Sequence, residues 1–149
     1  MDELKGRVIR SYRMEMIGTG LYRSFAAQHG PRDAELGKRF LKFSEDEYMH
    51  GKLFSKFFLK TYGRMLRGEG FWIFMGRMAA AMMRMSSLEK KMKKLSRIES
   101  GAVKQIQREL PVCENPGLQR ILKTILPDEM DHADLYQEWF GPSQETAEV

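Results

Sequence analysis

The sequence predicts an all-α protein, an up-down four-helix bundle of two antiparallel hairpins joined by a long, partly helical crossover. Three observations predict it. Proline, glycine and asparagine cut the chain into four long amphipathic pieces. No stretch shows the two-residue alternation of a half-buried strand. Short links join the first piece to the second and the third to the fourth, whereas residues 63–87 separate the second from the third. Short links make antiparallel neighbours, and one long connection then joins the two hairpins.

The first helix runs from about Asp2 to Gln28 and stops at "HGPRD", where Pro31 is placed to open the next. The second runs from about Arg32 to Tyr62 and ends at Gly63, a residue suited to a left-handed helix end. The crossover holds "RGEG" and then the Met-rich "GFWIFMGRMAAAMMRM". A third helix covers roughly Leu88 to Leu110 and stops at "PVCENPG". There Asn115 is an N-cap with Pro116 at the first helical position. The fourth helix runs from about Gly117 to Trp139, with a kink or a local loss of hydrogen bonding expected at Pro127. The bundle thus occupies residues 1–140, and 141–149, "GPSQETAEV", reads as a flexible tail.

Composition narrows the classes. A chain of 149 residues suits one domain with one good core. Net charge of +5 with 30% charged residues fits a globular protein rather than a disordered one. Cys113 is the only cysteine, which leaves no disulfide framework and no thiolate metal knot, and a reducing, cytoplasmic setting is the default expectation. "MDELKGRVIR" lacks the apolar run of a signal peptide. The longest apolar stretch, residues 71–83, is too short to span a bilayer and carries Arg77. The basic balance would suit RNA or an anionic lipid surface. No aromatic-plus-basic nucleic-acid motif accompanies it, so nucleic acid is not an expected partner.

The second helix carries an apolar seam at heptad spacing: Leu36, Phe40, Phe43, then Glu47 and His50, then Phe54 and Phe57. The fourth repeats it with Leu118, Leu122, Ile125, then Glu129 and His132, then Tyr136 and Trp139. In both, Glu-x-x-His replaces two central seam positions, and residues three apart are neighbours on one helix face. The first helix places Glu15 beyond Val8 and Tyr12, with Tyr22 following. The third places Glu99 beyond Met92 and Leu95, with Ile106 following. Four helices therefore each send a carboxylate into the core, and two add a histidine. Left empty, such a core would hold mutually repelling, desolvated charges. Two divalent cations would bring four carboxylates and two neutral imidazoles close to neutrality. Oxygen and imidazole donors without thiolates suit iron or manganese.

With "EMIGTGLY", "EYMH" and "EMDH" in these positions, the chain resembles the ferritin-like di-iron carboxylate superfamily over nearly its whole length. The rubrerythrin-type and demethoxyubiquinone hydroxylase branches look most similar. The resemblance implies that Glu15, Glu47, His50, Glu99, Glu129 and His132 ligate two iron ions, manganese being the alternative, with Glu47 and Glu129 as bridges. It also implies that the four glutamates take part in activating dioxygen or peroxide, with electrons from a separate donor. Rubrerythrins usually carry a second glutamate three residues after the third-helix ligand, where this chain has Ala102. They often carry a rubredoxin module, which one cysteine cannot build. The hydroxylases usually continue with helical sequence beyond the fourth ligand helix, which is missing here. The implied activity is oxidation, and hydroxylation of a lipophilic quinone-like substrate is the first expectation. Peroxide reduction, ferrous-iron oxidation and a non-catalytic iron-handling module are the alternatives.

Other residues carry lesser expectations. Tyr22 lies on the Glu15 face and is either a hydrogen-bond donor to a ligand carboxylate, with a part in the chemistry, or an ordinary core tyrosine. Gly18 and Gly20 each weaken the first helix, and Gly18, one turn beyond Glu15, serves either close helix packing or room for dioxygen or a substrate atom. Phe71, Phe74, Met78, Met82 and Met85 share one side of a helix, bracketed by Arg64, Arg67, Arg77 and Arg84. Docking of that stripe on the bundle is the first expectation. Peripheral contact with a membrane, or a lipid-substrate entry, is the second, and a homodimer through the same segment a third. The lysines of "KKMKK", residues 90–94, read as a solvated face, and His29 as an exposed turn residue.

Overall fold

The structure is a computed structural model that describes residues 3–141. Helix α1 spans Glu3–His29, α2 Ala34–Tyr62, α3 Glu69–Met82, α4 Leu88–Glu109 and α5 Pro116–Phe140, with a 3-10 turn at Leu110–Val112. No strand occurs among the described residues. The expected up-down bundle is present, its hairpins α1–α2 and α4–α5 joined through α3. The expected helix start at Asp2 and all of the tail except Gly141 lie outside the described residues.

The helix ends follow local chemistry. Asp33 caps α2 by accepting from the backbone N–H of Leu36. Pro31 therefore sits in the turn before the cap, not in the first helical turn as the sequence predicts. Gly63 ends α2 at φ 65°, a backbone conformation that costs glycine nothing. Asn115 caps α5 through the N–H groups of Gly117 and Leu118. The helix continues through Pro127, whose missing N–H leaves the Lys123 carbonyl without its helical donor.

The core is divided in two. On one side Val8, Tyr12, Met16, Phe54, Phe58, Leu122 and Ile125 pack together. On the other Tyr22, Phe25, Leu36, Phe40, Phe43, Met92, Leu95 and Leu135 do the same. The seams drift near their ends: Phe58 is buried where Phe57 was expected, and Leu135 where Tyr136 was expected. An α-helix turns every 3.6 residues, so a strict heptad stripe rotates by about 20° per heptad.

Helix α3 packs on α1, but by a face other than the expected one. Gly76 and Ala80 are buried, while Phe71, Phe74, Met78 and Met82 face outward. A Cβ on Gly76 would collide with the Ile17 carbonyl oxygen, and one on Gly20 with that of Ile73. The two helices therefore cross backbone against backbone, and close packing is the reason for Gly20. Two other expectations are corrected. Lys91 is buried, not solvated, with its Nζ 3.2 Å from Gln28 Oε1 and 3.3 Å from His29 Nε2. His29 is accordingly half-buried at the end of α1.

Candidate metal centre

Between the two apolar clusters lies a polar layer. Glu15, Glu47, His50, Glu99, Glu129 and His132 all arrive there, each less than a tenth exposed. One group of ligand atoms comes from Glu15, Glu47, His50 and Glu129, and a second from Glu47, Glu99, Glu129 and His132. Within each group the atoms lie within 4.8 Å of one another. Glu47 and Glu129 belong to both, the position required of bridging carboxylates.

The histidines are held from behind. His50 Nε2 lies 3.0 Å from Asp128 Oδ2, and His132 Nε2 lies 3.2 Å from Asp46 Oδ2. A carboxylate can only accept, so each Nε2 carries hydrogen and each Nδ1 is left to face the cluster. His50 Nδ1 sits 3.2 Å from Glu129 Oε1 and 3.4 Å from Glu15 Oε2. His132 Nδ1 sits 3.1 Å from Glu47 Oε1. These separations are short, yet neither Nδ1 nor Glu47 Oε1 forms a hydrogen bond. Buried polar atoms without partners are rare and need an explanation. Convergence on a shared cation supplies one, since ligands of one ion face a common point and not each other.

The carboxyl groups show the same strain electrostatically. Burial, then the charges of Glu15, Glu99 and Glu129, push Glu47 well above the usual carboxylate range. Burial also raises Glu15, against the pull of His50. Glu99 is pushed up to about 8 by burial and by Glu129, although the Tyr22 hydrogen bond opposes this. Burial would lower His50, but the adjoining Glu129 and Glu15 outweigh it and raise the imidazole to about 11. Without a cation the cluster holds protons; a cation would take their place. Asp46 behaves differently: burial works to raise it, yet His132 and Lys42 keep it below its ordinary value and therefore charged.

Tyr22 is buried and its hydroxyl donates to Glu99 Oε1. The ring packs edge-on against Phe43 at 5.5 Å, and Phe43 lies 4.1 Å from the His132 ring. Gly18 does not leave a void beside Glu15: a Cβ there would strike Glu47 Oε2, so the space is filled by that carboxylate. Thr19 and Ser44, both buried, tie α1 to α2 beside the site, Ser44 donating to the Thr19 carbonyl at 2.9 Å.

A cleft of about 570 Å³ opens onto this layer between α1 and α4, whose Cα atoms nowhere come within 8 Å of one another. Met14, Ile17, Leu21, Leu95, Ile98 and Ile106 give it apolar walls, and its floor includes all four glutamates. Ala102 lines it one helical turn beyond Glu99. Arg7 and Arg10 stand at one end, where Arg7 spans to Glu109 on α4 at 2.9 Å.

Asp46 and Asp128 are the functional residues that the sequence reading did not single out. The signal was present, since each Glu-x-x-His is preceded directly by aspartate, in "DEYMH" and "DEMDH".

A helical bundle with a buried carboxylate and imidazole cluster of this composition defines a ferritin-like metal-binding protein, with donors that suit iron. A family model described as Rubrerythrin matches residues 8–139, and the chain belongs to the rubrerythrin family. That match does not extend to the narrower quinone hydroxylase branch. No curated protein and no solved structure matches the chain. No described helix is long and apolar enough to cross a membrane.

Proposed function

We propose that the protein is a di-iron oxidoreductase that uses dioxygen or peroxide to oxidise a lipophilic organic molecule, a quinone-like compound being the first candidate. The observation that carries this reading is the cleft, which is apolar along its walls, large enough for an organic ring and floored by the glutamates. Glu15, Glu47, His50, Glu99, Glu129 and His132 would hold the metals, with Glu47 and Glu129 shared. Iron bound there would supply the redox electrons and open coordination positions that side chains lack.

The chain's own part is geometry and proton control. Asp46 and Asp128 hold both imidazoles with Nδ1 inward. Tyr22 donates to Glu99, fixing that carboxylate and placing a hydroxyl proton against it. The two apolar clusters keep water from the remaining sides. Hydroxylation consumes dioxygen, two electrons and two protons and yields water beside the product, so a separate electron donor is required.

Metal content tests the site: protein purified without chelators and reloaded anaerobically should hold about two irons per chain, lost in Glu47→Ala or His132→Ala. Product analysis tests the substrate class. If the reduced protein consumes dioxygen but transfers oxygen to no quinone-like compound, that class is wrong. Membership of the rubrerythrin family favours a second reading, two-electron reduction of peroxide to water without organic substrate. Stopped-flow mixing separates the two, because a strong preference for peroxide over dioxygen supports the second.

A further inference from the structure

Helix α3 buries two small residues against α1 and leaves two phenylalanines and several methionines exposed. Gly76 and Ala80 lie against α1, so Phe71, Phe74, Met78 and Met82 form one outward stripe at helical spacing. Phe71 is 57% exposed, Phe74 51% and Met82 84%. Met75 and Met85 extend the patch. A contiguous apolar surface of this kind marks a binding face.

Its borders are basic. Arg64, Arg67, Arg77 and Arg84 are all exposed, and none forms an ion pair with another described residue. The only acid within α3, Glu69, is turned to α2, where Lys52 and Tyr48 bond to it. The patch therefore presents aromatic and thioether side chains flanked by positive charge alone. Two copies meeting face to face would set arginines against arginines, which costs free energy. An anionic surface would neutralise them. The helix is also short and cannot cross a bilayer.

We propose that α3 is a docking helix for the surface of an anionic lipid bilayer. Phe71, Phe74, Met78 and Met82 enter the headgroup and acyl boundary while the four arginines meet lipid phosphates. α3 backs the α1 wall of the cleft, since Ile17 and Leu21 carry the backbone that meets Gly76 and also line the cleft. Docking would bring a bilayer-dissolved molecule beside that opening. The docking itself does not depend on iron chemistry and is read separately from it.

The test is co-sedimentation of the full chain, iron-loaded and metal-free, with vesicles of phosphatidylcholine alone or mixed with phosphatidylglycerol. Binding is expected only to the mixed vesicles, and weaker in high salt. Phe71→Ser/Phe74→Ser should lower partitioning about tenfold or more, and Arg77→Gln/Arg84→Gln should lower it and flatten the salt dependence. These positions are exposed, and circular dichroism with thermal melting verifies that the variants fold. Failure to bind the mixed vesicles, or binding that Phe71→Ser/Phe74→Ser leaves unchanged, overturns the proposal. A dimer in light scattering that this variant dissociates, without vesicle binding, would assign the face to a second copy instead.

Discussion

Asp46, on α2, accepts from His132 on α5 and not from His50, the histidine one turn along its own helix. Asp128 does the reciprocal for His50. The two Glu-x-x-His helices are thus cross-braced, each orienting the other's imidazole, and the bracing exists only when the hairpins are packed together.

Removing a brace should loosen the metal without removing a ligand. Asp46→Ala and Asp128→Ala are each expected to weaken iron binding by about 10–100-fold, the usual effect of losing such a partner. Asp46 is expected to cost more. Its side chain is 19% exposed and that of Asp128 40%, so water can replace Asp128 more readily. Chelator competition at fixed pH measures both.

The metal-free protein should lose stability as pH rises. Glu99 has a folded value near 8 against an ordinary 4.5, so between those limits the folded state holds a proton that the unfolded state has released. His50, near 11 against 6.5, works in the same direction over a higher window. With the folded state binding more protons, unfolding free energy falls with pH. Thermal melts of metal-free protein should therefore shift downward from about pH 5 to pH 9. Iron should abolish most of this trend and release protons on binding, which weakly buffered calorimetry detects.

The α1–α3 crossing tolerates no added side chain. Gly76→Val and Gly20→Val should each destabilise by about 1–3 kcal/mol or detach α3, because the obstructing atoms are backbone. Gly101→Ala is the contrasting case. It lies in α4 with nothing near its absent Cβ, so the change should stabilise by up to about 1 kcal/mol. Urea denaturation of the three variants separates these outcomes.

Filling the cleft should separate oxidant from substrate. Ala102→Trp places an indole in the cleft one turn beyond Glu99 and replaces no ligand. Iron content and the reaction of reduced protein with dioxygen or peroxide should remain, while turnover of an organic substrate falls by at least about tenfold. Equal loss of both would show that the oxidant reaches the site by the same cleft.

The four long helices, two of their ends and the inward register of the Glu-x-x-His inserts were legible because each is local. Asn115 before Pro116, Gly63 after Tyr62 and the Glu-x-x-His inserts in both seams depend on spacing along one helix. The seam ends were less legible, since the drift that buries Phe58 and Leu135 accumulates over turns. Lys91 reads as solvated in a lysine run, and it is buried because His29 and Gln28 reach it from another helix.

From its sequence alone the chain determines an all-helical bundle with six metal-ligand candidates facing inward, since periodicity assigns a residue to a face. Periodicity cannot say what lies opposite that face. Tertiary structure alone decided that Asp46 serves His132, that Glu47 fills the space at Gly18, and that α3 docks by Gly76 and Ala80 with its phenylalanines outside. Each depends on which backbone comes close enough to exclude a side chain, and that distance is a property of packed helices.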